Sequence, residues 1–302
     1  MGGDCKLKVF SWSRYKKILL RNQYSIKGTP SKKNKVNIEC YPLYNIGDTL
    51  GPIVVKWMLS QRGLDEKKII SHTRHLISIG SVINQGSFDA TVWGSGILSI
   101  NEIGMIRKKR QWLGRKFDIR AVRGPLTRDV LLKAGYTCGP IYGDPAILMP
   151  LIYKDSSINP QYDVSLILHY RSSVGKCANT TDQRYVLTVD QELIEKNKVH
   201  MIDPKTDDYK QFINEISASK LVISSSLHGI ILAEAYGVPA IFLNFGMDDQ
   251  QTKFEDWYQS TGREVISCTS LEDALCRNVP KTPKLNKMQD DLMNSFPYDL
   301  WE

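Results

Sequence analysis

Between Leu221 and Asn244 the chain reads as one buried strand–helix–strand unit, and that stretch constrains the fold more than any other. The apolar run Leu221-Val-Ile223 ends in Ser224, Ser225 and Ser226, followed by Leu227-His228-Gly229. A helical segment comes next, closed by Gly237-Val-Pro239, and a second apolar run ends in Asn244. Continuous apolar runs bounded by Gly and Pro suit the strands of a parallel sheet, whose two faces are both covered. The only ionisable group at the strand-to-helix corner is His228. Open parallel sheets bind ligands at the carboxyl ends of their strands, beside helix N-termini that favour anions. A histidine at that corner is therefore placed to act on an anionic substrate.

The same alternation runs through the rest of the chain. A strand at Val36–Tyr41 opens into Asn45-Ile-Gly-Asp48, and a helix from about Thr49 to Gln61 carries Leu50, Val54, Trp57 and Met58 at helical spacing. Further strands are expected at Leu76–Ile83, at Ala90–Trp93 before Gly94-Ser95-Gly96, and at Ile119–Val122 before Arg123-Gly124-Pro125. A helix from Leu126 to about Ala134 stops at Gly135, and Tyr142-Gly-Asp144-Pro145 closes this half. Residues 150–161 read as a hinge, after which a strand at Val164–His169 restarts the pattern. Helices near Gln183–Glu195 and Asp208–Ser219 flank a strand at Val199–Ile202, and a last helix is expected over about Lys287–Leu300. This predicts an α/β protein with two Rossmann-like parallel-sheet domains facing across a cleft. Their bounds are 37–150 and 162–283, preceded by a basic extension (1–36) and followed by a segment (284–302) whose helix crosses back to the first domain.

The formal net charge of +8 over 302 residues resembles a nucleic-acid signal until it is located. Residues 1–36 hold ten basic side chains against Asp4 alone, leaving the remainder with 30 basic and 31 acidic residues. No basic groove continues into the body, so nucleic acid is not expected as a partner. Trp12, Tyr15, Ile18, Leu19 and Leu20 lie among those lysines and arginines. The segment is read either as a contact for an anionic membrane surface or as a solvated extension. No apolar run approaches the ~20 residues that span a bilayer. The expected location is cytoplasmic, with peripheral attachment to the inner face of the membrane as the membrane-contact version. Six cysteines lack CxxC or CxH spacing, and no His, Asp or Glu cluster has ligand spacing, so neither a disulfide framework nor a metal is expected.

Polar residues worth naming fall after strands: Asn45, Gly47 and Asp48; Gly94, Ser95 and Gly96; Arg123; Asp144; and Ser224–Gly229. In a doubly wound fold such groups converge on one crevice. Arg123 has the fork to hold a phosphate or carboxylate, or it forms an ion pair. Asp48 caps a helix or serves as a base, Asp144 fixes a turn or serves as a base, and Gly94–Gly96 is a ligand loop or a plain tight turn. His169, at another strand end, is a second histidine candidate, and Lys253 either enters the cleft or faces solvent.

Taken in order, these runs resemble the polysaccharide pyruvyl transferase family. The matching pieces are Asn45-Ile-Gly-Asp48, Trp93-Gly-Ser-Gly96, Ala121-Val-Arg-Gly-Pro125, Tyr142-Gly-Asp-Pro-Ala146, Ser225-Ser-Leu-His-Gly229, Ala233-Glu-Ala-Tyr-Gly-Val-Pro239 and Lys253-Phe-Glu-Asp-Trp-Tyr258. The resemblance implies a GT-B-like pair of domains and transfer of pyruvate from phosphoenolpyruvate to a sugar, with ketal formation and phosphate release. Phosphoenolpyruvate is then a co-substrate and no cofactor is called for; the acceptor is a sugar of a polysaccharide or of a lipid-linked oligosaccharide. It also implies phosphoenolpyruvate contacts at Arg123, His228 and Lys253, with Ser226 and Gly229 beside them. Catalysis falls to His228 with Asp48 or Asp144, and the acceptor side to Asn45, Gly47, Gly94, Ser95, Gly96 and His169. Two departures stand out: Gly124 replaces an Asp found in many members, and Ser95 replaces a third Gly. The alternatives are a GT-B-type nucleotide-sugar glycosyltransferase, with Glu234 holding a ribose, and a catalytically silent sugar-binding or scaffold protein.

Overall fold

The computed structural model describes residues 8–9, 45–64, 75–169, 173–174, 188–189, 191–244 and 248–301. The expected strand at Val36–Tyr41 and nearly all of the basic segment lie outside the described residues. In chain order the strands are β1 (Lys8–Val9), β2 (His75–Ile77), β3 (Ala90–Trp93), β4 (Phe117–Ala121), β5 (Ser165–Ile167), β6 (Ser173–Val174), β7 (Thr188–Val189), β8 (His200–Met201), β9 (Val222–Ser224), β10 (Ala240–Leu243) and β11 (Ser267–Cys268). The helices are α1 (Ile46–Ser60), α2 (Ile103–Leu113), α3 (Pro125–Lys133), α4 (Met149–Ile152), α5 (Gln191–Lys196), α6 (Tyr209–Ser217), α7 (Leu227–Ala235), α8 (Asp248–Ser260), α9 (Leu271–Cys276) and α10 (Asn286–Asn294).

Two parallel sheets organise these elements, an arrangement consistent with Rossmann-like folding. One has the order β1-β2-β3-β4 and the other β11-β10-β9-β5-β8, while β6 and β7 pair separately. Every residue of β3, β9 and β10 is buried, as strands covered on both faces require. Numbered within its own sheet, the second order is 5-4-3-1-2, the flavodoxin-like arrangement. Its topological switch point lies between β5 and β9, where crossover connections leave to opposite sides and open a crevice at the carboxyl ends.

Helix α7 connects β9 to β10 and is buried from Leu227 to Glu234, so it behaves as a core element rather than an amphipathic one. By contrast α6 buries only the stripe Phe212, Ile213 and Ile216. One continuous core cluster takes Leu50 and Trp93 from the first half together with Val222, Ile231 and Phe254 from the second. The C-terminal elements pack on the first half: Trp93 Nε1 donates to the Leu292 carbonyl at 2.9 Å, and Arg120 pairs with Asp299 at 2.7 Å.

Several boundaries differ from expectation. Helix α1 starts at Ile46 rather than about Thr49, because Asn45 is the extended N-cap residue and Ile46 is fully buried. Asp48 consequently lies in the first turn instead of capping it. Strand β2 ends at Ile77; Gly80, at φ +101°, turns the chain back so that its carbonyl accepts from Gly96 N and Ser95 Oγ. Thr188–Val189 is strand, and the following helix is confined to Gln191–Lys196. The last helix stops at Asn294, with a separate 3-10 turn at Tyr298–Leu300 after Pro297.

Candidate active site

The switch-point crevice is built from serines that replace missing ladder bonds. Ser225 N–H donates to the Ile167 carbonyl at 3.0 Å, and Ser225 Oγ accepts from His169 N–H at 2.7 Å. Ser224 Oγ accepts from Ser226 N–H at 2.9 Å and reaches the Ile167 and Ser226 carbonyls at 3.0 and 2.9 Å. These bonds fix the corner after β9 and aim the N-terminus of α7 into the crevice. Ser226 occupies the N-cap position without a side-chain capping bond. Gly229 sits where an added Cβ would lie 2.5 Å from Ser224 Oγ, so a side chain there would break the corner.

His228, in the first turn of α7, is the meeting point of three segments. Its Nε2 lies 3.6 Å from Asp144 Oδ2, and neither atom has a hydrogen-bond partner among the described residues. Asp144 is completely buried; its Oδ1 caps the turn at Pro145–Leu148 by accepting from Ala146 N–H at 3.0 Å. The turn reading of Asp144 thus accounts for Oδ1 and leaves Oδ2 unbonded. On the other side, an added Cβ at Gly47 would stand 2.0 Å from His228 Nδ1. The first turn of α1 is thus pressed against the imidazole, and Asn45 caps that helix without a side-chain bond. Two helix N-termini converge on one histidine, and their leading N–H groups and dipoles favour an anion there. Asp48 sits half-buried one residue beyond Gly47.

Arg123 and its surroundings form a second cluster. The side chain is wholly enclosed: Nε donates to Asp256 Oδ2 at 3.1 Å, Nη1 to Ser81 Oγ at 2.6 Å and Nη2 to the Ile97 carbonyl at 2.6 Å. Asp256, equally buried, also accepts from Thr127 N–H at 3.0 Å and Thr127 Oγ1 at 2.6 Å. The carboxylate that orients Arg123 thus comes from α8 in the second half. An added Cβ at Gly124 would lie 2.0 Å from the Asp256 carbonyl oxygen, which explains why no acidic side chain occupies that position. Gly96 lies against the guanidinium, with 2.3 Å between an added Cβ and Arg123 Cζ, while Gly94, at φ +85°, turns tightly against Pro145. Ser95 Oγ is spent on the Gly80 carbonyl at 2.6 Å. The Gly94–Gly96 loop therefore supports Arg123 and Asp144 by close packing.

Lys253 is buried on α8, one turn before Asp256, with Nζ 5.2 Å from the Phe254 ring centroid. Phe254 in turn stacks on Phe242 of β10 at 3.7 Å. Glu234 is fully committed: Arg263 grips both its oxygens at 2.7 and 2.8 Å, and Trp257 Nε1 donates at 2.8 Å. Sequence reasoning gave Asp256, Thr127 and Ser81 no role. Asp256 lies within the Lys253–Tyr258 run, but nothing local pointed to a partner 133 residues away. Among the described residues no group of three or more His, Cys, Asp or Glu could hold a metal ion, and no helix is long and apolar enough to cross a membrane.

Comparison with known proteins adds three likenesses. The chain is 27% identical over 219 residues to the uncharacterized protein L143 of Acanthamoeba polyphaga mimivirus, covering 69% of each chain. It is 26% identical over 193 residues to the succinoglycan biosynthesis protein ExoV of Rhizobium meliloti, covering 62% of this chain and 54% of ExoV. A crystal structure of a functionally uncharacterized protein from Klebsiella pneumoniae aligns with 86% of this chain and 100% of that one. Its TM-score of 0.39 and 15% identity are too low to carry an argument. The model of the polysaccharide pyruvyl transferase family matches residues 68–245, a span that holds β2 to β10, the serine corner, Arg123, Asp144 and His228. This chain belongs to the polysaccharide pyruvyl transferase family.

Proposed function

We propose that this protein moves pyruvate from phosphoenolpyruvate onto a sugar of a polysaccharide or lipid-linked glycan precursor, closing a cyclic ketal and releasing phosphate. Family membership supports pyruvyl transfer to a saccharide, and the likeness to a succinoglycan biosynthesis protein supports a glycan acceptor. The observation that carries the reading is the His228–Asp144 pair, two buried and unbonded polar atoms at 3.6 Å beneath two converging helix N-termini. Such a place suits a donor bearing both a phosphate and a carboxylate.

In this reading the methylene carbon of the enol takes a proton, one sugar hydroxyl bonds to the adjacent carbon, and the C–O bond to phosphate breaks. A second hydroxyl then closes the ketal. Of the two hydroxyl protons, one balances the new methyl group and the other leaves with phosphate. His228 supplies the first proton or steadies the departing phosphate, and Asp144 Oδ2 or Asp48 accepts the hydroxyl proton. Lys253 and the leading N–H groups of α7, with Ser226 and Gly229, neutralise the donor. Arg123, expected as a phosphoenolpyruvate contact, is enclosed by Asp256, Ser81 and the Ile97 carbonyl, and in this reading it positions α8 and hence Lys253 instead. Asn45, Gly47 and His169 border the acceptor.

The nucleotide-sugar alternative needs Glu234 for a ribose, and that carboxylate is already bound by Arg263 and Trp257. The test is incubation of the protein with phosphoenolpyruvate and a panel of free, polymeric and lipid-linked sugars, following phosphate release and ketal formation. Loss of turnover in His228→Ala, with phosphate released by the wild type, is the expected result. UDP release from a UDP-sugar without phosphate release from phosphoenolpyruvate would overturn the proposal.

A further inference from the structure

Helix α2 carries a face that is left uncovered among the described residues. Between Ile103 and Lys116 the chain has five basic residues besides Lys116 itself and no acidic one. The body takes up four of them: Arg107 Nη2 donates to the Lys133 carbonyl, Lys109 Nζ to the Asn84 carbonyl, Arg110 lies over the Tyr136 ring, and Arg115 is buried against three carbonyls. These ties, with Ile106 buried beneath, set the rotation of the helix. They leave Met105, Lys108 and Trp112 on one outward line at spacings of three and four. Trp112 is 78% exposed and Leu113 61%, with Met105 at 55% and Ile100, just before the helix, at 53%.

We propose that this face docks on an anionic lipid bilayer. Four large apolar side chains exposed within fourteen residues are an unusual thing to leave in water. A bilayer interface accepts a helix lying flat with its apolar side chains at the acyl boundary. Tryptophan with a lysine beside it, Lys108 Nζ being 6.0 Å from the Trp112 ring, matches the apolar–polar boundary of a membrane surface. The uniformly positive charge of the segment selects anionic headgroups. The face starts three residues, about 10 Å of chain, from Ile97, whose carbonyl holds Arg123.

The experiment is co-sedimentation of the full chain with phosphatidylcholine vesicles, with and without phosphatidylglycerol. It compares wild type, the double variant Trp112→Ser/Leu113→Ser and Lys108→Glu; all three positions are exposed, and circular dichroism checks the fold. Binding that needs phosphatidylglycerol, weakened about tenfold or more by the double variant and roughly tenfold by Lys108→Glu, is expected. Equal binding by all three, as when residues 1–36 alone hold the membrane, overturns the proposal. No binding by the wild type overturns it too, as does a wild-type dimer that the double variant makes monomeric in light scattering. None of these outcomes bears on phosphoenolpyruvate turnover, which is measured without vesicles.

Discussion

The substitution Asp256→Asn tests whether the two halves are pinned together through one buried ion pair. It keeps the shape of the side chain and removes the charge. The new amide can still satisfy Thr127, because its carbonyl oxygen accepts from Thr127 N–H and the threonine hydroxyl can accept from its N–H group. Arg123 Nε, 3.1 Å from Asp256 Oδ2 in the wild type, then faces an N–H group. The guanidinium keeps two neutral partners, Ser81 Oγ and the Ile97 carbonyl, but loses its hydrogen-bonded counter-charge in a site with no solvent exposure. Breaking a buried pair from one side costs about 3–5 kcal/mol, a large share of the roughly 5–15 kcal/mol by which domains are stable. The assay is equilibrium urea unfolding, read by circular dichroism and tryptophan fluorescence so that coincidence of the two transitions is checked. Removing both charges in Arg123→Met/Asp256→Asn should cost less than the two single changes added, with a coupling of about 2 kcal/mol or more. A loss below about 1 kcal/mol for the single variant, or strict additivity in the double, would refute the argument.

Four further outcomes follow from the same geometry. Gly124→Asp should destabilise by about 3 kcal/mol or prevent folding, since the new Cβ meets the Asp256 carbonyl at 2.0 Å; thermal melts showing wild-type stability would contradict this. Gly47→Ala pushes a methyl group onto His228 Nδ1, so phosphate release should fall at least tenfold and the urea midpoint should drop as the buried imidazole shifts; unchanged turnover would remove Gly47 from the site. Glu234→Gln weakens a buried clamp on Arg263 and should cost about 2–4 kcal/mol without changing the apparent affinity for phosphoenolpyruvate, measurable by unfolding and by KM. Burial pushes the Cys138 and Cys268 thiols up to about 11, so both stay protonated near neutral pH and should resist iodoacetamide while exposed Cys276 reacts; mass mapping of either buried cysteine as modified would argue against the packing.

Much of the second half was legible in the sequence because its signals are local. The apolar runs that became β9 and β10, the Gly-Pro stop and the serine corner each lie within a few residues of what they specify. The motifs also named Asp144 and His228, which stand far apart in the chain and which the fold sets 3.6 Å apart. Other elements left weaker traces. Helix α8 was not foreseen, although Phe254, Trp257 and Tyr258 already had helical spacing, because the polar run before them hid the pattern. Helix α2 buries only Ile106 fully, so little apolar periodicity exists to be read.

The sequence by itself determined that this is a parallel α/β protein, that an ionisable corner follows the strand at Leu221–Ile223, and to which family it belongs. Local chain stiffness and burial pattern suffice for the first two, and an ordered set of short motifs for the third. Only the tertiary structure decided the strand order that puts the switch point between β5 and β9. It alone brought Gly47 and Asp144 against His228 and supplied Asp256 as the partner that Gly124 leaves room for. Those pairings join residues far apart in the chain. They are chosen by how helices fill the space between two sheets, and no run of neighbouring residues encodes that packing.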